Sequence, residues 1–246
     1  MAPLRAILFD LDGVLTPTAE VHRRAWSALF TDYLAACGAT PPYSDLDYFR
    51  YIDGKPRCEG ARDLLESRGL RLPRGADGDS PDALTIAGLG NRKNAIFTRL
   101  LADDGVAPFP GTVSLLAQLA AAGKAMAVVS SSKNARSVLA SAGLSRYFDV
   151  VIDGEVAAVE HLRGKPAPDT FTRAARCLGV AAAHSAVVED AVAGVAAGRA
   201  GGFALVVGVD RGIGASALTE AGADVVVDNL PAMVTHGPLH TERRER

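Results

Sequence analysis

The run Ala6-Ile7-Leu8-Phe9-Asp10-Leu11-Asp12-Gly13-Val14-Leu15 carries the clearest architectural signal in the chain. Its first four residues are apolar without alternation, as a strand buried on both faces of a parallel sheet requires. It then stops on two carboxylates and a glycine. Polar groups therefore stand at the carboxyl end of the strand, where ligands of open α/β sheets sit. Similar short apolar runs recur at 125–129, 150–152, 186–188, 203–207 and 225–227. Between most of them lie helical spacings, such as Val113, Leu116, Leu119 and Ala120, or Ala174, Cys177 and Leu178. Single strands alternating with single helices predict βαβ units and a doubly wound, Rossmann-like parallel α/β sheet.

One segment breaks that alternation. From 16 to 107 the pattern is helical throughout. Thr16 and Pro17 read as a helix start, with a hydroxyl cap and a proline in the first turn. Ala25, Leu29 and Leu34 follow at helical intervals, and further helices fit 46–51, 59–67 and 92–101. The stretch 69–82 is a Gly-, Pro- and Asp-rich surface loop. The expected organisation is an α/β core of residues 1–15 and 108–234, interrupted after its first strand by a helical domain of residues 16–107. Pro110-Gly111 marks the return to the core, and 235–246 is expected to be a disordered tail.

Composition narrows the function. A chain of 246 residues, 48% hydrophobic and 22% charged, can bury a full core without disulfides and is neither disordered nor fibrous. Its 26 basic and 28 acidic side chains leave a net charge of -2, which argues against a nucleic-acid partner. Cys37, Cys58 and Cys177 are odd in number and lack metal or redox spacing, so they read as thiols in a reducing compartment. The longest uncharged stretch, 105–123, is too broken by Pro108, Pro110 and polar residues to cross a membrane. A cytoplasmic monomer is the expectation.

Three further polar groups follow apolar runs. Val128-Val129 leads into Ser130-Ser131-Ser132-Lys133-Asn134, where hydroxyls and free N–H groups at a helix start suit a phosphate. Gly164-Lys165-Pro166 precedes a helix beginning near Pro168, and Val187-Val188 leads into Glu189-Asp190. Two like charges ~4 Å apart repel by about 4 kcal/mol at an effective dielectric near 20. Asp10, Glu189 and Asp190 therefore need a cation if they share a crevice, and an all-oxygen donor set suits magnesium rather than zinc. Lys165 adds positive charge. An ionised Asp10 could then attack phosphorus, with Asp12 as general acid and base.

Taken in order, Asp10-x-Asp12-Gly13-Val14, Ser130, Lys165-Pro166 and Glu189-Asp190 resemble the four motifs of the haloacid dehalogenase superfamily. The match spans about residues 4–230. The resemblance implies that Asp10 is the nucleophile and Asp12 the acid/base whose backbone carbonyl also faces magnesium. It implies that Ser130 and Lys165 bind the transferring phosphoryl group, and that Glu189 and Asp190 join Asp10 and Asp12 around the metal. It also makes the helical segment a cap.

Within that superfamily the chain is similar to the β-phosphoglucomutase subfamily. Thr18-Ala-Glu-Val-His22-Arg-Arg-Ala-Trp26 resembles its first cap helix, and Gly54-Lys-Pro-Arg57 resembles the cap loop whose arginine grips the phosphate that is not being transferred. Lys93 and Asn94 resemble its sugar-facing cap residues, and Ser132-Lys133-Asn134, beside Ser131, its core contact with the distal phosphate. The implied activity converts β-glucose 1-phosphate into glucose 6-phosphate through glucose 1,6-bisphosphate and an aspartyl-phosphate enzyme. A sugar-phosphate phosphatase on the same scaffold is the alternative. A silent phosphosugar-binding module would lack one of the motif acids, and all are present. Two features depart from the subfamily: Pro17 stands where many relatives carry Asp, and the loop at 69–82 is longer.

Overall fold

The computed structural model describes residues 3–235. After strand β1 (Ala6–Phe9) the chain enters four helices: α1 (Thr18–Ala36), α2 (Asp45–Asp47), α3 (Arg57–Ser67) and α4 (Ile86–Asp104). A π-helical turn, Tyr48–Ile52, continues α2. The chain then alternates: α5 (Thr112–Ala121), β2 (Ala125–Val129), α6 (Ala135–Ser141), β3 (Val150–Ile152), α7 (Gly154–Val159), α8 (Asp169–Cys177), β4 (Ser185–Glu189), α9 (Val192–Ala200), β5 (Leu205–Val209), α10 (Ala215–Ala221), β6 (Val225–Val227) and α11 (Ala232–Thr235). Among the described residues the six strands form one parallel sheet in the order β3-β2-β1-β4-β5-β6. The strand order reverses direction beside β1, which makes the carboxyl end of β1 the natural crevice.

The unalternated strands have a simple cause. Ile7 and Phe9 point into one apolar layer with Val128, Val188, Leu116 and Val138. Ala6 and Leu8 point into the opposite layer with Val129, Val187, Phe171 and Val195. Successive side chains of a strand face opposite sides, and here both sides are covered by helices. The helical segment has a cluster of its own, including Trp26, Leu29, Phe30, Leu34, Leu64, Leu65 and Leu89. The inner ends of α1 and α4 meet the sheet's layer through Val21, Ala25 and Phe97.

Three local readings are corrected. The first helix begins at Thr18, directly after Pro17. The Thr16 hydroxyl bonds Leu11 O at 3.3 Å and Thr18 Oγ1 at 2.7 Å instead of capping it. The last helix of the segment starts at Ile86, capped by Thr85 Oγ1 accepting from Gly88 N–H, six residues before the expected 92. The strand expected at 203–207 runs Leu205–Val209, because the Phe203 ring packs edge-on against Phe171 below the sheet. The tail expected from 235 lies, from residue 236 onward, outside the described residues.

Candidate active site

The sheet register builds the site. Phe9 pairs with Val128 on one side and Val188 on the other, so the next residue of each strand, Asp10, Val129 and Glu189, stands at one level. Lys165, buried, bridges them. Its ammonium donates to Asp10 Oδ1 at 2.5 Å, Glu189 Oε1 at 2.5 Å and Val129 O at 3.0 Å. Glu189 Oε2 accepts from the N–H groups of Asp190 and Ala191, both at 2.9 Å. Asp10 Oδ2 accepts from Asp12 N–H at 2.8 Å.

The turn after β1 needs a glycine. Gly13 has φ of 91°, and a Cβ there would lie 1.8 Å from Asp190 Oδ2. Only hydrogen lets Asp190 come so close to that turn. Arg211 holds the turn from the far side, donating to Gly13 O at 2.6 Å while stacking on Phe109 at 3.9 Å. Asp12 is gripped at both oxygens: Thr18 Oγ1 donates to Oδ1 at 2.5 Å, and Ser130 Oγ to Oδ2 at 3.1 Å. His22 Nε2 lies 3.5 Å from Asp12 Oδ1.

These surroundings separate the two acids. Burial would raise Asp12, but His22 and the Thr18 and Ser130 hydroxyls hold its carboxyl down at about 2. Burial drives Asp10 well above the ordinary range, against the pull of Lys165 and with the repulsion of Glu189. Asp190 is likewise pushed well up by burial and then by Asp53 and Glu189. Asp53, on the turn before α3, is raised by burial and Glu189 to about 7. Lys165 is raised, because Asp10 and Glu189 outweigh its burial.

The helical segment faces these acids across a cavity of about 270 Å³. Arg57, at the start of α3 behind Pro56, lines it and among the described residues has no ion-pair partner. Lys93, buried in α4, contacts His22 Nδ1 and lies 5.3 Å from the Trp26 ring centroid. Burial brings its ammonium down to about 7. Trp26 also stacks on Phe30, so it packs the segment's core while lining the cavity. His22 stacks on Phe97 at 4.0 Å and is lowered by burial and Lys93.

Further hydrogen bonds join the segment to the loop after β2. Asn134 Nδ2 donates to Asn94 Oδ1 at 2.8 Å, and Ser131 Oγ donates to Gly54 O at 2.8 Å. Lys133 Nζ donates to Asp77 Oδ2 at 3.1 Å. Gly54 lies so near the acid loop that a Cβ would be 2.8 Å from that of Ala191. Ser132 Oγ accepts from Asn134 N–H at 3.1 Å. The residues singled out from the sequence therefore line this cavity, except Lys165, which lies buried behind Asp10 and Glu189. Several first meet one another: Ser130 with Asp12, and Asn94 with Asn134.

Sequence reasoning passed over Thr18 as an Asp12 partner, Asp53, Asp77 and Arg211. Asp53 had a signal, since it directly precedes the quoted Gly54-Lys-Pro-Arg57 string. Arg211 had none, because it follows β5 far along the chain.

A parallel sheet with an Asp-x-Asp turn at its central strand, a buried lysine and a helical segment over the crevice defines a class. A family model described as haloacid dehalogenase-like hydrolase matches residues 4–202, and the chain belongs to that family. It is 48% identical over 240 residues to a β-phosphoglucomutase of Mycobacterium tuberculosis, covering 94% of this chain and 92% of that protein. Its fold matches the crystal structure of a β-phosphoglucomutase from Clostridium difficile with a TM-score of 0.74 and 27% identity, over 92% of this chain and 91% of that one. A CbbY variant from Rhodobacter sphaeroides, in complex with xylulose-(1,5)bisphosphate, matches with a TM-score of 0.68 and 27% identity, over 92% of this chain and 94% of that one.

Proposed function

We propose that the chain is a phosphosugar mutase that interconverts β-glucose 1-phosphate and glucose 6-phosphate through glucose 1,6-bisphosphate. The observation that carries this reading is one cavity lined by two groups of anion receivers. Asp10 and Ser130, with Lys165 buried behind Asp10, make the first, and Arg57, Lys133 and Asn134 the second. A phosphatase needs only the first. A mutase must hold a second phosphate while the first is transferred, and a guanidinium fork is suited to that. The helices between 16 and 107 act as a cap that keeps water out.

Asp10 is the nucleophile. Its oxygen bonds to phosphorus as the bond from phosphorus to the sugar oxygen breaks, giving an aspartyl phosphate. Asp12, ionised down to about 2, starts as the base. It takes the proton of the sugar hydroxyl that attacks the aspartyl phosphate, and returns it to the leaving oxygen of the opposite half-reaction. Thr18 and Ser130 orient it for both tasks.

The donor set fits magnesium. Asp10, Asp53, Glu189 and Asp190 crowd around one buried ammonium, and burial and mutual repulsion raise Asp10 and Asp190 well above the ordinary range. Such a cluster lacks positive charge and offers only oxygen. Among the described residues no three acidic, His or Cys side chains close into a metal-holding group by themselves. Magnesium is held by one or two carboxylates plus substrate phosphate. Asp10, Asp190, the Asp12 carbonyl and, through its neighbourhood, Glu189 would hold it. Its chemistry would be neutralisation of the acids and of the phosphoryl oxygens.

The test mixes β-glucose 1-phosphate, a trace of glucose 1,6-bisphosphate and magnesium with the enzyme and couples the product to glucose 6-phosphate detection. Glucose 6-phosphate is expected without equivalent inorganic phosphate, and Asp10→Asn abolishes it. Inorganic phosphate without glucose 6-phosphate would establish the second reading, a sugar-phosphate phosphatase on the same scaffold.

A further inference from the structure

The loop between α3 and α4 is the part of the helical segment that the mutase reading leaves without a task. It is exposed, yet it is not loosely placed. Asp79 Oδ2 accepts from Thr85 Oγ1 at 2.6 Å and from Ala76 N–H at 3.2 Å. The Asn91 amide of α4 donates to the backbone carbonyls of Asp77 at 2.9 Å and Asp79 at 2.8 Å. The Asp77 backbone is thereby fixed, and its carboxylate reaches across to the sheet side to meet Lys133 Nζ at 3.1 Å. Glu155 of α7, at 3.5 Å, completes the surroundings of that ammonium.

The position of this ion pair matters more than its strength. Asp77, Lys133, Arg57 and Arg74 all line the same cavity. Lys133 holds the Asp77 carboxyl below its ordinary range, with Arg74 and Arg57 adding to the effect. Neither arginine has an ion-pair partner among the described residues, so Asp77, with Glu155 beside Lys133, sets negative charge against the cations gathered there.

We infer that Asp77 is a specificity-determining residue, the resident counter-ion of the cations that receive the distal phosphate. It rests on the mutase reading of that end of the cavity. The incoming phosphate enters by exchange: its oxygens take the Lys133 ammonium, and the Asp77 carboxylate leaves towards Arg74 and solvent. The exchange favours a dianionic phosphate over singly charged ends, which only match the charge of the carboxylate they displace. The longer loop thereby sets how strongly the bisphosphate is held.

Calorimetric titration of glucose 1,6-bisphosphate into Asp10→Asn protein, with magnesium, tests this without turnover. Adding Asp77→Asn is expected to tighten binding by about two- to five-fold, the range set by an exposed ion pair, with a steeper salt dependence. Asp77→Glu, which keeps the charge, is expected to restore the parent affinity. Unchanged or weaker binding in Asp77→Asn overturns the inference. Arg57→Ala in the same background separates the two readings: it is expected to weaken binding. If it does and Asp77→Asn still fails to tighten, the counter-ion role alone is wrong. If it leaves the affinity intact, the distal-phosphate end is misassigned and the inference falls with it.

Discussion

Lys93 is a buried ammonium among aromatic rings, and its position makes the chemistry depend on pH. Burial lowers it to about 7, so the charged form prevails below neutrality and is lost as pH rises through that value. If its charge holds substrate, kcat/KM, which reports the free enzyme, declines on the alkaline side from about pH 7. Arginine stays charged throughout. A pH–rate profile of Lys93→Arg is therefore expected to move the alkaline limb upward by more than one unit, whatever the loss at the optimum. On the proposed mechanism Asp12 sets the opposite limb. Held at about 2, it remains a competent base across the acidic range, and removing the Thr18 donor with Thr18→Val is expected to shift that limb upward.

Among the elements, α9 shows how closely a helix is fitted to the acids. A Cβ at Gly194 would lie 1.8 Å from Glu189 Oε1, the atom that holds Lys165. Gly194→Ala is expected to cost about 1–3 kcal/mol by overpacking, seen as a Tm drop of roughly 3–9 °C, together with loss of turnover. Glycines also explain what the sequence concealed. The strands were legible because both faces are buried and the apolar runs say so. The start of α4 was not, because Gly88 and Gly90 weaken the helical pattern. A Cβ at Gly88 would meet Ala83 O at 2.3 Å, and at Gly90 the Arg57 side chain at 3.4 Å. At Gly88 close approach, not propensity, calls for glycine, whereas the contact at Gly90 is an ordinary one. The π-helical turn at Tyr48–Ile52 was read as an ordinary helix over 46–51, since its apolar spacing differs by a single residue. Asp10 and Asp12 stood out because they follow a recognisable strand, and Lys165 because Gly164-Lys165-Pro166 precedes a recognisable helix. Asp53 and Asp77 did not, because their importance arises only where the helical segment meets the sheet.

In the whole molecule, one buried group of acids shapes the stability. Asp53 is raised to about 7 from an unfolded value near 3.9, so the folded protein binds a proton that the unfolded chain has released between those limits. The metal-free protein is expected to lose stability as pH rises from about 4 to about 7, and Asp10 and Asp190 act in the same direction. Magnesium at one hundred times its Kd adds about 2.7 kcal/mol, or roughly 5–10 °C in Tm. Differential scanning calorimetry is expected to show a larger magnesium shift at pH 7 than at pH 5, and chelation should reverse it. No helix among the described residues is long and apolar enough to cross a membrane.

The central strand also has a history imposed by chain order. β1 leaves the ribosome first, but Ala6 pairs with Ala125 and Ser185, synthesised far later. At roughly 5–20 residues per second, β1 waits several seconds for either neighbour. Meanwhile α1 to α4 can gather around their own apolar cluster. A nascent chain halted near residue 110 would thus present a folded helical unit tethered to a bare apolar strand. Such an unpaired edge invites association with other chains, so the interruption that roofs the catalytic crevice also lengthens the interval in which this protein needs a chaperone's cover.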